Sequence, residues 1–246
     1  MKNQGRYILK SSIRKEFDFS KTDQSIGVPM PPIQKPAADN AVFIDLPDYE
    51  GVETIRLHEA LKNRRTRRAY SQKALSLKEL SFLLWATQGI RGELNENRTY
   101  RSVPSAGCRH AFETYLAVFQ VESLAKGVYR YLPVGHKLEK ISEPEDLENL
   151  TIQAASRQKF AGQGAVTFFW SVLPYRMEWR YGDTAFKLIA IDAGHICQNL
   201  YLACEGIGAG TCAIIAYEQD LADAIIGADG EEEFVIYMAP VGKTVT

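Results

Sequence analysis

The sequence predicts a mixed fold of helices and strands without regular βαβ alternation. Three stretches carry this expectation. Residues 165–173, with Val166, Phe168, Phe169, Trp170, Val172 and Leu173, are nearly continuous apolar and read as a central strand. Residues 127–132 and 136–141 alternate in polarity around Pro133-Val134-Gly135 and read as a hairpin with one wet face. Residues 183–208 place Phe186, Ile189, Ala193, Ile196, Leu200, Ala203, Cys204 and Ile207 at spacings of three or four, which is a helical period.

The elements follow in chain order. Residues 1–50 read as an extended arm, because the prolines at 29, 31, 32 and 36 fix φ and remove amide donors. Short apolar groups at Tyr7-Ile8-Leu9 and Val42-Phe43-Ile44 suit an arm lying over the domain or over a neighbouring subunit, with a floppy tag as the alternative. The compact domain, residues 51–246, opens near Glu53 with a short helix carrying Ile55, Leu57, Ala60 and Leu61. Ser76 and Glu79 form a capping-box signature ahead of Leu80, Leu83 and Leu84, and Gly89 stops that helix. Pro104 to Gly107 make a turn, and residues 113–121 are rich in strand formers. Ser142 and Glu145 repeat the capping-box spacing and predict a helix to about Gln158. After the long helix, residues 211–215 read as a strand, 218–226 as a helix and 234–241 as the last strand. A helix of roughly 25 residues spans nearly 40 Å, longer than one core of this size needs, so it should also serve an interface.

The chain has 246 residues, of which 46% are hydrophobic and 24% charged, an ordinary globular composition. With 29 Lys plus Arg against 30 Asp plus Glu, there is no general basic field for nucleic acid. No apolar stretch reaches the roughly 18 residues of a membrane span and no signal-peptide core opens the chain, so it reads as cytoplasmic. Cys108, Cys197, Cys204 and Cys212 contain no C-x-x-C pair and read as small buried hydrophobes.

Residues 64–68 concentrate chemistry: Arg64, Arg65, Arg67 and Arg68 surround Thr66 just after the first domain helix. Four planar, always-charged forks and one hydroxyl suit a phosphate or carboxylate, while a helix C-terminus also welcomes cations without any ligand. Neither G-x-G-x-x-G after a strand, nor a Walker A sequence, nor a G-x-S-x-G elbow occurs, which argues against Rossmann, P-loop and α/β-hydrolase sites. Asp192 and His195 share a helix face, more suggestive of a structural pair than of a general base, and no cluster suggests a metal.

Taken in order, residues 64–70, the Ser76 helix with Trp85 and Gly89, Val103 to Gly107, residues 127–131 and 136–139, Asp192-Ala193-Gly194-His195 and Gly206 to Gly210 resemble the FMN-dependent nitroreductase superfamily. Its SagB-type dehydrogenase branch is the most similar, over about residues 53–243. The resemblance implies an α+β fold, a mainly antiparallel sheet flanked by helices, in an intertwined homodimer with FMN at the subunit interface. It implies that Arg64, Thr66 and Arg68, with Arg65 between them, hold the phosphate, ribityl chain and pyrimidine edge. A cation at that edge would stabilise negative charge on reduced flavin. Pro104, Ser105 and Ala106 match the turn that packs on the other subunit's flavin. Ile215 and Ala216 match the segment whose N–H faces N5, and Gln158 matches a side chain on the pyrimidine ring.

Two departures stand out. Where relatives that oxidise peptide azolines carry Lys-Tyr, this chain has Arg180-Tyr181, and a guanidinium does not readily serve as the base a desolvated Lys can be. Tyr181 then remains as the local acid. The basic C-terminal tail of typical relatives is reduced to Lys243. The implied activity is ping-pong hydride transfer from NAD(P)H through FMN to a small organic acceptor such as a nitro compound or quinone. The alternatives are a SagB-type dehydrogenase acting on a peptide or small heterocycle, and a flavin-binding module without turnover.

Overall fold

The computed structural model describes residues 2–92 and 99–245. Seven strands form one sheet: β1 (Val42–Asp45), β2 (Phe112–Val118), β3 (Gly127–Leu132), β4 (Lys137–Ser142), β5 (Val166–Val172), β6 (Ala209–Thr211) and β7 (Phe234–Lys243). Their order is β1-β4-β3-β2-β5-β7-β6, and every neighbouring pair is antiparallel. Helices complete an α+β fold: α1 (Lys2–Leu9), α2 (Ile13–Glu16), α3 (Leu57–Asn63), α4 (Leu77–Gln88), α5 (Leu147–Ala154), α6 (Tyr175–Tyr181), α7 (Ala185–Gly206) and α8 (Gln219–Ile226).

The apolar run of β5 sits where its composition demands, fully buried between β2 and β7. One face of the sheet packs Phe168 and Trp170 with Leu80, Leu83 and Leu84 of α4 and Ile189, Ile196 and Leu200 of α7. The other face packs Phe169 with Leu147 of α5 and with Ala222 and Ile226 of α8. The α4 capping box forms as read: Ser76 Oγ accepts from Glu79 N at 3.2 Å, and Ser76 N donates to Glu79 Oε2 at 2.9 Å. At 22 residues, α7 is roughly 33 Å long.

The second capping box does not form. Ser142 is the last residue of β4, paired with Val128, so its backbone belongs to the sheet and the helix begins only after Asp146. The helix expected from Glu53 starts at Leu57, and α6, just ahead of α7, had no expectation of its own.

The N-terminal segment also differs from its reading as extended, since α1 and α2 are helical and β1 joins the edge of the sheet. The proline-bearing stretch between α2 and β1 runs without helix or strand from residue 28 to 41. That stretch explains why β3 is buried on both sides instead of having a wet face. Charged side chains stand beneath it, and its main chain satisfies them. Arg101 Nη2 donates to Ile33 O at 2.9 Å and Arg130 Nη2 to Pro36 O at 2.8 Å. Glu113 accepts from Lys35 N and Glu139 from Ala38 N, both at 2.9 Å. The carboxylates and guanidiniums also pair with each other, Arg130 with Glu139 at 2.6 Å and Arg176 with Glu113 at 2.5 Å. Lys35 Nζ reaches Glu233, whose other oxygen accepts from Ser171 and Tyr115. The arm therefore lies on its own domain as the lid of a buried polar layer.

Candidate active site

The expected site residues fall into two groups at different levels of α7. The first gathers where α3 ends. Arg64 caps α3, and the chain then runs extended, with Thr66 bridged in parallel to Thr211 and Arg67 N donating to Thr211 O at 2.9 Å. Gly210 must lack a side chain here, because a Cβ would come 2.7 Å from Arg67 Cγ. Arg64 lies over the Tyr201 ring at 5.4 Å, and Arg68 over the Phe160 ring at 5.7 Å. Arg68 also reaches the Cys212 thiol, whose pKa is raised chiefly by burial. Neither Arg64 nor Arg68 forms an ion pair among the described residues.

Beside them, Gln158 Nε2 donates to Ala155 O and Ala216 O, both at 3.0 Å. With both donations spent on carbonyls, its Oε1 is left as an acceptor. The amides of Ile215 and Ala216 have no hydrogen-bond partner among the described residues, and Ile215 is 78% exposed. This edge therefore offers two cations, a hydroxyl, an acceptor and free N–H groups, a set suited to a phosphorylated ligand with a polar ring edge.

Two expected members are not presented there. Arg65 Nη1 turns back to the carbonyls of Lys62, Asn63 and Arg64 at 3.0–3.3 Å, where unsatisfied α3 carbonyls draw it. Lys243 is 8% exposed, and its ammonium is held by Glu79 and by Ile207 O at 2.6 Å. Burial and those two partners commit it to the fold instead of to a ligand.

The second group surrounds the Pro104–Gly107 turn. Gly107, Cys108 and His110 all adopt positive φ. Buried Asp192, on α7, accepts from Ala106 N at 3.3 Å and from Ser105, and Ser105 Oγ accepts from His110 N at 2.9 Å. Burial raises the Asp192 carboxyl despite those bonds. Asp192 thus has the structural role expected of it, while His195 is exposed. Arg180 and Tyr181 close the group: a Cβ on Gly107 would lie 2.5 Å from Tyr181 Oη and 3.0 Å from the Arg180 side chain. Arg109, stacked on Trp179 at 5.3 Å, donates to Gly107 O.

His110 ties this turn to the core, its Nε2 donating to Thr99 O at 2.9 Å. Burial pushes its imidazole down to about 3, and Arg101, Arg109 and Arg176 add to that, against the Thr99 bond. Since an unfolded His titrates near 6.5, the neutral form stabilises the fold above about pH 6.5 and that contribution is lost as pH falls toward 3. Urea unfolding at pH 6.5 and 5 should show His110→Asn losing about 1.6 kcal/mol less than the unmodified chain, the limiting slope being about 1.4 kcal/mol per pH unit. Equal losses would contradict a neutral buried imidazole.

Asp192 and Tyr201, which mark the two groups, are nine residues apart on α7, roughly 13 Å along its axis. One chain therefore presents two separate groups of candidate site residues. The sequence pattern of the nitroreductase family matches residues 61–243, which contain both. The chain belongs to the nitroreductase family. This nitroreductase-family chain is thereby an oxidoreductase by class. A Methanocaldococcus jannaschii protein described as a nitroreductase is 32% identical over 202 residues, 82% of this chain and 96% of the relative. A nitroreductase-type structure from Anabaena variabilis superposes with a TM-score of 0.70 at 23% identity, covering 84% of this chain but 42% of the Anabaena chain. A chain of the E. coli microcin synthetase complex, solved with a truncated pro-peptide bound, gives 0.63 at 17% identity and covers 98% and 94%. At those identities the two structures speak for the fold. Sequence reasoning missed Tyr201 and Phe160, the aromatic supports of Arg64 and Arg68, because neither stands near the motif in the chain. Among the described residues, no helix is long and apolar enough to cross a membrane.

Proposed function

We propose that this nitroreductase-family protein is an FMN-dependent oxidoreductase that takes reducing equivalents from NAD(P)H and passes them to a small organic acceptor such as a nitro compound or quinone. The observation that carries this reading is the unpaired couple Arg64 and Arg68 flanking the Thr66 hydroxyl, beside the free amides of Ile215 and Ala216. When bound, FMN supplies alternate hydride acceptance and donation. Arg64 and Thr66 would hold the phosphate and ribityl oxygens, and Arg68 would bring positive charge to the pyrimidine edge. Gln158 Oε1 would serve as an acceptor for the ring, and the Ile215 and Ala216 amides would serve as its donors. The reaction then belongs in the cytoplasm, where reduced nicotinamide is supplied.

A homodimer completes the site in this reading. The outer face of α7 leaves Phe186 and Ile191 each 46% exposed beside polar His195 and Gln198, and a Cβ on Gly194 would meet nothing within 4 Å, so the face offers apolar groups and is open to close approach. Pairing two such helices brings the Pro104–Gly107 turn, Arg180 and Tyr181 of one subunit to the Arg64 edge of the other. Sedimentation at micromolar concentration should give a dimer, since obligate interfaces of this kind bury about 2,000–5,000 Å². A monomer would sink the shared site.

The purified protein should be yellow, with about one FMN per subunit, and Arg64→Ala should weaken FMN binding by more than about 1.5 kcal/mol. Bound FAD, or a colourless protein indifferent to FMN, would overturn the reading. A second reading, dehydrogenation of a peptide or small heterocycle, is favoured by one observation: the microcin synthetase chain aligns with 98% of this chain, arm included. Oxidation of an azoline peptide would establish it, whereas Arg180 argues for simple acceptors.

A further inference from the structure

We propose that Tyr201 is a positioning residue that aims Thr66 and Arg64 at the phosphorylated ligand, an inference that rests on the flavin reading above. Tyr201 projects from α7 into the junction between the arginine motif and the segment after β6. Its oxygen accepts from Ala213 N at 2.9 Å and lies 3.3 Å from Thr66 Oγ1, while its ring carries the Arg64 guanidinium at 5.4 Å. The protons can be counted. With the Ala213 amide already donating to it, the phenol has one hydrogen to give, and among the described residues its one acceptor is Thr66 Oγ1. With the phenol hydrogen given to Thr66, the Thr66 hydroxyl hydrogen points outward from an exposed residue. The result is a directed chain, from Ala213 N–H through the phenol to Thr66 and on to the ligand, in which each bond polarises the next. It delivers a donor to an anion. The same ring holds Arg64 in place by cation–π contact, so one side chain sets the angle of two contacts and ties both to the segment that carries the Ile215 and Ala216 amides.

The test measures binding of FMN, by quenching of its fluorescence, and of inorganic phosphate, by calorimetry. Tyr201→Phe, which keeps the ring, should weaken FMN binding about three- to tenfold. Tyr201→Leu should weaken it by about a further three- to thirtyfold by releasing Arg64. Thr66→Val, at an exposed position, should reproduce the Phe effect, and the double variant should lie within about twofold of Thr66→Val alone, because both remove one chain. Thermal unfolding run in parallel should show Tyr201→Phe folded. Unchanged binding in Tyr201→Phe, or losses that multiply in the double variant, would overturn the proposal. If the unmodified protein takes phosphate but not FMN, the flavin reading fails and the same variants decide the role of Tyr201 on phosphate. If it takes neither, both readings fall.

Discussion

Arg130→Ala should destabilise the folded chain by about 3–5 kcal/mol, and Glu139→Ala by a similar amount, because each strands the other charge in a buried layer. The two face each other across β3 and β4 at 2.6 Å, and neither is near bulk water. Each also holds the arm, Arg130 through Pro36 O and Glu139 through Ala38 N, so truncation removes an arm contact along with the pair. For a chain of this length the loss lowers the thermal midpoint by roughly 6–20 °C. Arg130→Met combined with Glu139→Leu should recover part of it, since an apolar pair of similar volume often replaces a buried ion pair without loss. Recovery stays partial because Pro36 O and Ala38 N are left unbonded, at about 1–3 kcal/mol each. Urea unfolding of the two single variants and the double variant checks this, and single losses below about 1 kcal/mol would show that water reaches the layer.

Gly107→Ala should lower kcat/KM with small acceptors by about 10²-fold while leaving flavin content within about twofold of the unmodified protein. The φ of Gly107 is +59°, and an added Cβ would meet Tyr181 Oη at 2.5 Å and Arg180 at 3.0 Å. Both are side-chain atoms able to swing away, so the strain is relieved by moving the two groups nearest the proposed substrate, and a displacement of about 1 Å at a reacting centre is worth about 10²-fold. Tyr181→Phe alone should reduce turnover by no more than about tenfold, since the phenol has no hydrogen-bond partner among the described residues. A loss of about 10²-fold in that variant would make Tyr181 the proton donor in the transition state. Stopped-flow reduction and reoxidation separate these outcomes, and full activity in Gly107→Ala would place Arg180 and Tyr181 outside the working pocket.

Part of the sheet and of its helices was legible because it depends on local patterns: the apolar run of β5, the alternating hairpin, the Ser76–Glu79 box and the period of α7, whereas α6 and β1 were not expected and the strand expected over 211–215 is β6, Ala209–Thr211. What was not legible is long-range. Ser142 and Glu145 have a helix-start spacing, yet pairing of Ser142 with Val128 keeps that backbone in the sheet. The β3 half of the hairpin has no wet face because residues some 90 positions earlier lie across it, while β4 is partly exposed. At the candidate site the arginine motif announced its chemistry but not its division of labour. Arg64 and Arg68 face outward over aromatic rings, while Arg65 caps a helix and Arg67 packs over Gly210. Nothing in the motif separates four arginines in five positions, since the sorting is done by Tyr201, Phe160, Glu205 and the end of α3.

The arm meets the charged layer with main-chain atoms, acceptors at 33 and 36 and donors at 35 and 38. Side chains at 33, 36 and 38 can therefore drift as long as the backbone keeps its path, whereas the Lys35 ammonium also holds buried Glu233 and Gln34 Oε1 accepts from Val134 N. Proline is the exception that sorts the positions: it is at home at 36, where only a carbonyl is used, whereas Lys35→Pro or Ala38→Pro would delete a donor that a buried carboxylate needs. A scan of the arm should then show tolerance of other side chains at 33, 36 and 38, a loss on removing the Lys35 ammonium, and intolerance of proline at 35 and 38. The arm is thus held more by the path of its backbone than by its composition.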